Sequence, residues 1–591
     1  MSSGAIPGWW PRWRRAKDKA TTFAIATGGS VVLLTILMLF VFLVYEVAPL
    51  LQDAKMEPAP AVVWQGEADP WLSLDEYAAV AFSVAADGSV GFTRLADGAV
   101  LSRRSLRPPG ARLTSVAAEG TGSDALVLGF SDGSARVVDV AYRYDLSAQQ
   151  RRIIPVLAQP LGDVPVAASR NQPVHRLALD LRSGILARQY DSGELEVARI
   201  APQAMATDLA WQNLGRQPKA ASLLLMDAGR WLLLLTAGGD YQAWPLSEAG
   251  AGTPQAGRLF PPGESLRSAI VLQGSLSLVA ASDRGALNRY YLLRAGTLAP
   301  VHRFDTSGMV PRRLLAEHRR RGFLAFGDGE VHWYNATSGE RGLRAPFAAT
   351  DATTLAISPR AHLLLALDPR GGLEAWHLDN PHPEVSLASL WREIWYEGYD
   401  QPALVYQSSA SSNDYEPKFS LTPLAFGTLK AAFYAMLFAT PLAICAAIYT
   451  AFFMAPVLRR RVKPLVELME ALPTVILGFL AGLWLAPMVE DHLAELLSLI
   501  LVIPGGVLLF SMLWALLPSG WRSVMPDGWH AIVLLPVILG LVMLALALGD
   551  PLQVLLFNGD ARRWFSEELG LAYDQRNAIV VGIAMGFAVI P

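Results

Sequence analysis

Five stretches of this chain carry no charged residue: 20–45, 431–458, 471–489, 496–521 and 530–549. A sixth uncharged stretch opens at Asn577 and is still running at Pro591. The five reach the length of about 17–25 residues that an apolar helix needs to cross a bilayer. Lipid offers no hydrogen bonds to the backbone, so such segments must be helical. Composition agrees, with 17% charged residues against about 25% in an average soluble domain. The first run is too long for a signal-peptide core and has no small-residue cleavage site behind it, which marks a retained anchor. Membrane lipid is therefore an expected partner. Nucleic acid is not, because a net charge of −3 leaves no basic footprint. The one cysteine, Cys445, rules out an internal disulfide and any Cys-based zinc or iron–sulfur centre. No metal site, catalytic set or cofactor is expected.

Basic residues orient the runs. Arg12, Arg14, Arg15, Lys17 and Lys19 precede the first, and Arg459, Arg460, Arg461 and Lys463 separate the second from the third. Cytoplasmic flanks are enriched in Lys and Arg, so both clusters face the cytoplasm. With one helix per run the spans alternate, placing residues of about 51–418 and the loop 550–576 outside. Trp9, Trp10 and Trp13 beside the first cluster suit an interfacial anchor, and a disordered basic tail fits them equally. Pro504 with Gly505-Gly506 leaves a re-entrant path open for the fourth run.

Between the first two runs the pattern changes. Short apolar strings flank turn pairs ending at Gly88, Gly133, Gly193, Gly239, Gly285, Gly329 and Gly372, at intervals of 45, 60, 46, 46, 44 and 43. Glycine tolerates the positive φ of tight hairpins, so each pair reads as a turn between two strands. A repeat of 40–50 residues with several strands is the mark of β-propeller blades. Seven turns predict about seven blades over 76–380, the long interval being one repeat plus an insertion of about 15 residues. An eighth, imperfect blade within 140–180 remains an alternative. The pattern resembles WD40 propellers in a general way, without their full Gly-His…Trp-Asp signature. Asn335-Ala336-Thr337 fits the glycosylation triplet. The predicted fold is thus mixed: an α-helical polytopic membrane domain of about six spans and an all-β extracytoplasmic propeller. The expected boundaries are a basic tail (1–20), a first span (21–50), a linker (51–75), the propeller (76–380), a second linker (381–418) and a membrane core (419–591).

The membrane core carries the functional signal. Gly427-Thr428 opens the second span, Pro441 lies further in, and Pro456 precedes the basic cluster. Glu467 stands six residues before Pro473 in "ALPTVILG" (471–478), and "VVGIAMGFAVIP" (580–591) closes the chain. This succession resembles the permease subunits of ABC importers, above all the PstC-type subunit of the bacterial phosphate importer, with the propeller inserted between the first and second spans. The resemblance implies a multi-pass protein of the bacterial inner membrane that forms part of a phosphate path. Its implied partners are a second permease subunit, cytoplasmic ATP-binding subunits and an extracytoplasmic phosphate-binding protein. ATP hydrolysis falls to the partner, since no Gly-x-x-x-x-Gly-Lys occurs here. The runs 496–521 and 530–549 are extra to the family pattern, and as a pair they preserve its parity.

The family couples to its ATPase through a Glu-Ala-Ala-like loop and lines its path with a Gly-Arg-Ala-x-Gly-Glu motif. Neither is present, so a truncated or split permease is expected. Candidate path or gate residues are Gly427, Thr428, Lys430, Pro441, Glu467 and Pro473. Thr428 can donate a hydrogen bond to an oxyanion, and Lys430 can attract one or snorkel to head groups. The two prolines can free backbone groups along a path or simply kink. Glu467 matches the family position and Glu470 does not. Gly478 with Gly482, and Gly582 with Gly586, are small-xxx-small pairs expected to pack helices. The propeller is expected to bind the delivery protein or another extracytoplasmic partner. The competing reading is a membrane-anchored propeller acting as sensor or scaffold on a degenerate permease base. A propeller enzyme would need a convergent cluster that the spacing of histidines and carboxylates does not suggest.

Overall fold

The computed structural model describes residues 10–60, 62, 64, 71–120, 124–145, 152–201, 204–350, 352–411, 415–470, 474–517, 530–570 and 577–590. Trp9 and Pro473 lie outside the described residues. The chain divides into two compact units, Met1–Ser420 and Leu421–Pro591.

Among the described residues the first unit contains seven antiparallel sheets of four or more strands, the blades of a β-propeller, and one small two-stranded sheet, Tyr406–Gln407 with Lys418–Phe419. Blades 1 to 6 are continuous in sequence at 71–105, 113–158, 174–216, 220–258, 266–303 and 313–346. Blade 7 takes three strands from 354–379 and its fourth, outermost strand from Lys55–Pro58, which pairs with Leu373–Asp379. The ring is therefore closed by a strand from the other end of the domain. Segment 51–75, expected as linker, supplies this strand and also Trp71–Leu74, the first strand of blade 1.

Every predicted turn pair joins the second and third strands of a blade. The predicted glycine takes the positive φ in six of them, from Gly88 at 79° and Gly133 at 85° to Gly329 at 79°, whereas in the last pair it is Gly371, at 81°, and not Gly372. Among the described residues no eighth blade occupies the long interval. It is filled by the extended outer strands Ala135–Asp145 and Arg152–Ala158 of blade 2 and by the loop beyond them. Second strands such as Gly322–Gly327 are buried throughout, because neighbouring blades cover both faces. Outer strands such as Arg341–Pro346 alternate in exposure, as a half-solvated strand should. The apolar core is partitioned into seven clusters, each filling the seam between consecutive blades. Phe82, Phe92, Leu128 and Phe130 fill the first seam, and Leu74, Ala81, Leu365 and Leu367 the last.

The second unit is helical. Thr422–Ile448 continues into a π-helical turn, Tyr449–Phe453, and Pro456–Glu470 follows. Thr474–Asp491 is one helical rod widened at Ala481–Leu485. His492, at φ −121° and ψ 41°, separates it from Leu493–Leu516, and the chain goes on through His530–Phe557, Ala561–Glu567 and Ala578–Val589. Among the described residues five helices are long and apolar enough to cross a membrane, the first being Lys17–Leu50. The sixth run forms the shorter helix Ala578–Val589. The described part of the fourth run lies in an unbroken helix of 24 residues, Leu493–Leu516, despite Pro504, long and apolar enough to cross a membrane.

Gly133 gives a sharp test of the turn geometry. A methyl group there would collide with the carbonyl oxygens of Arg170 and Gln172 while φ stays at +85°. Gly110 has a similar φ of +77° but open space around it. Gly110→Ala should cost about 1–2 kcal/mol, the left-handed strain alone. Gly133→Ala should cost about 2 kcal/mol more, from the added overlap. Urea unfolding followed by tryptophan fluorescence measures both; equal losses would contradict the turn packing.

Candidate functional site

The three segments that carry the permease resemblance come together. Helix Ala578–Val589 lies against Thr422–Ile448 and touches Thr474–Leu480 and Pro456–Glu470. Gly582 and Gly586 make this approach possible: a Cβ at Gly582 would lie 2.8 Å from Tyr434 Cβ, and one at Gly586 would lie 3.4 Å from the Ala435 carbonyl oxygen. Ala435 and Ala439, on the facing helix, are buried. Small residues on both sides let the backbones meet. The two runs extra to the family pattern pack on each other instead, with Gly506 under Leu541. Arg562, in the loop 550–576, pairs with Glu490 at 2.8 Å. The helix Ala561–Glu567 and the end of the rod Thr474–Asp491 thus lie at one end of the helical bundle.

The other candidates are scattered. Gly427, Gly478 and Gly482 have nothing within 4 Å of a built Cβ, so the expected packing role of Gly478 and Gly482 has no partner within the described chain. Thr428 Oγ1 donates to Leu424 O at 2.8 Å, inside its own helix, and Lys430 is exposed. Pro441 sits within a helix that continues past it, so the wider π-helical geometry appears only at Tyr449–Phe453. Glu467 is exposed on Pro456–Glu470, 3.9 Å from Lys463. That helix is amphipathic, with Leu458, Val462, Val466 and Met469 forming its half-buried stripe. Arg459 Nη2 donates to Ala451 O at 2.7 Å and Met454 O at 3.3 Å, so its charge meets the carbonyl end of the preceding helix.

In the propeller, the most concentrated chemistry lies where the sequence suggested a linker. Residues 394–411 and 415–419 form a strap held on blades 5 and 6 by buried ions. Arg321 Nε and Nη2 both donate to Glu397 Oε2, at 2.9 and 2.6 Å, and its Nη1 donates to Tyr415 O at 3.0 Å. Arg289 Nη2 donates to Glu416 Oε1 at 3.4 Å, its Nε to Ser277 Oγ at 3.1 Å and its Nη1 to Ala336 O at 2.6 Å. Ser277 and Thr337 hydroxyls donate to Glu397 and Glu416, each at 2.5 Å. The Glu397 N–H donates to Glu416 Oε2 at 2.8 Å. Two arginines and two glutamates thus balance, with side chains at most 5% exposed. Lys418 is enclosed by the rings of Tyr415, Tyr396 and Tyr399, at 4.5, 5.5 and 5.7 Å from their centroids, and burial holds its ammonium below the usual lysine range. The glycosylation triplet belongs to the same wall: Asn335 and Thr337 are buried, which removes them as a sugar-acceptor site.

A cavity of about 400 Å³ is lined by the innermost strand of every blade, with Leu177, Leu224, Ile270 and Leu315 among its walls. Glu119, Asp124, Asp180 and His318 also line it. Glu119 accepts from Leu181 N at 2.7 Å, and Asp180 accepts from Ser183 N at 2.9 Å. Burial pushes Asp124 up to about 6, and the carboxylates of Asp139 and Asp75 add to the rise. Burial lowers His318, favouring its neutral form.

No protein-family model matches the chain, and no curated protein matches it. Solved structures similar to it include one from a crystal structure of the mitotic checkpoint complex (14% identity, TM-score 0.37, 56% of this chain and 96% of that one). Raptor of Chaetomium thermophilum is similar at 13% identity and TM-score 0.40, over 56% of this chain and 29% of that one. The β-propeller domain of Cps50 (Swd1) from Myceliophteria thermophila is similar at 12% identity and TM-score 0.40, over 55% and 100%. The blade count here stands on strand order and register.

Two predictions follow from the charges. Arg321→Ala leaves Glu397 buried without its partner and should cost about 3–5 kcal/mol. The double variant with Glu397→Ala should lose less than the sum of the two single losses; additive losses in urea unfolding would refute the pairing. For Asp124, the raised native pKa means that ionisation opposes folding at neutral pH. Asp124→Asn should gain up to about 2–3 kcal/mol near pH 7. The gain should shrink as pH falls through 6 and vanish only below about 3, where the wild-type carboxyl is protonated in both states.

Proposed function

We propose that this chain is a membrane-spanning permease subunit of an ABC importer, forming part of the translocation path for phosphate in a bacterial inner membrane. ATP is hydrolysed on separate cytoplasmic subunits, a second permease subunit completes the path, and an extracytoplasmic binding protein delivers the substrate to the side that carries residues 51–418. The observation that supports this reading best is the grouping of helices. The segments at 422–453, 456–491 and 578–589, which resemble the permease family and are far apart in sequence, pack together. The extra helices 493–516 and 530–557 pair with each other, as an inserted hairpin would. The open ridge at Gly478 and Gly482, flanked by exposed Phe479, Leu483 and Trp484, is the surface this reading assigns to the second permease subunit.

One observation favours the sensor or scaffold reading. Thr428 uses its hydroxyl within its own helix and Lys430 is exposed, so these residues do not assemble an anion site. The two readings separate in a strain lacking other phosphate importers. Deleting the gene should abolish uptake of radiolabelled phosphate at limiting concentration, and the restored gene should rescue it. Uptake unchanged by the deletion would exclude the transport role and leave the scaffold.

A further inference from the structure

The loops of a propeller divide between two faces. The glycine hairpins join second to third strands on one face. The loops joining first to second and third to fourth strands, such as 272–276 and 336–340, lie on the other. The strap, through Glu397, Tyr415 and Glu416, is bonded to this second face at Ser277, Arg321 and Thr337. The closing strand starts there too: Lys55 stands opposite Asp379, the end of a third strand. Both segments that lead from the propeller to uncharged helices therefore leave from one face.

That face is rich in exposed aromatics. From 391 to 419 seven of 29 residues are aromatic, about a quarter, against 9% in the whole chain. The inner ones are used for structure: Tyr396 and Tyr415 enclose Lys418, and Trp395 donates through Nε1 to Tyr399 O at 2.8 Å. Others face outward, with Trp391 53%, Tyr406 44% and Tyr399 38% exposed. Tyr406 is paired in register with Phe419, three residues before the apolar helix begins at Thr422. Tyr399 stacks toward Lys418, the next residue back. Tryptophan and tyrosine combine an apolar ring with a polar edge, which fits the layer between hydrocarbon and water.

We propose that this face of the propeller rests in the lipid head-group layer through Trp391, Tyr399 and Tyr406, with the buried Arg–Glu network holding the strap rigid beneath them. The proposal rests on reading Thr422–Phe453 as a membrane span, and the test separates the two. Cys445→Ser gives a cysteine-free chain, into which single cysteines are placed by Trp391→Cys, Tyr406→Cys, Leu437→Cys and Val164→Cys. Leu437 is an exposed residue of the span; Val164 is 57% exposed in a loop of the opposite face. The full chain is reconstituted in vesicles of phosphatidylethanolamine and phosphatidylglycerol, spin-labelled, and read by the accessibility of each label to oxygen and to a water-soluble nickel complex. Labels at 391 and 406 should fall between Leu437, shielded from nickel, and Val164, fully accessible. Either label reading as aqueous as Val164, with Leu437 still shielded, overturns the proposal. Leu437 reading as aqueous instead overturns the membrane span itself.

Discussion

The pairing of Lys55–Pro58 with Leu373–Asp379 makes the ring a ring. Each of the seven apolar clusters belongs to a seam between two blades rather than to one blade. No blade can bury its faces alone, so stability depends on every blade having neighbours on both sides. Without the borrowed strand, blade 7 would end at Leu373–Asp379 with an open edge. Its seams toward Phe326 and Phe347 on one side and Leu72 and Leu74 on the other would then hang on an incomplete sheet.

A second constraint works by charge. Arg289 and Arg321 are nearly absent from solvent, which is tolerable only because Glu397 and Glu416 meet them in hydrogen-bonding geometry and two hydroxyls satisfy remaining oxygen valences. A paired set of this kind contributes modestly when intact, yet losing one member leaves an uncompensated ion in a dry place. The strap is thus held less by affinity than by the penalty of any other arrangement. An apolar contact could slide by a residue, but a two-armed guanidinium on one carboxylate has a single register.

The propeller was legible because its information is local and repeated. Seven hairpins each need a positive φ between two apolar strands, and glycine at near-constant spacing records that need seven times. The uncharged runs were legible for a similar reason, since each announces itself within about 20 residues. The strap was not: Arg289 and Glu416 are 127 residues apart, and the intervening sequence has no period to link them. The closing strand is not legible because four residues of mixed polarity carry no alternation. In the helical unit, the small-xxx-small spacing of Gly582 and Gly586 predicts the packing they make. The identical spacing at Gly478 and Gly482 meets nothing within the chain, and spacing alone cannot tell a covered ridge from an open one.

Ring closure also has a cost in time. The strand Lys55–Pro58 is made 321 residues before Asp379, its last partner (379 − 58 = 321). At translation rates of about 5–20 residues per second it waits on the order of 20–60 s with its edge unpaired. An apolar edge left open that long would recruit strands from other chains. The sequence Lys-Met-Glu-Pro answers this hazard with two charges, a single apolar side chain and a proline that offers no N–H. The weak β-character that hid this strand in the sequence is also what lets it wait safely for the last blade.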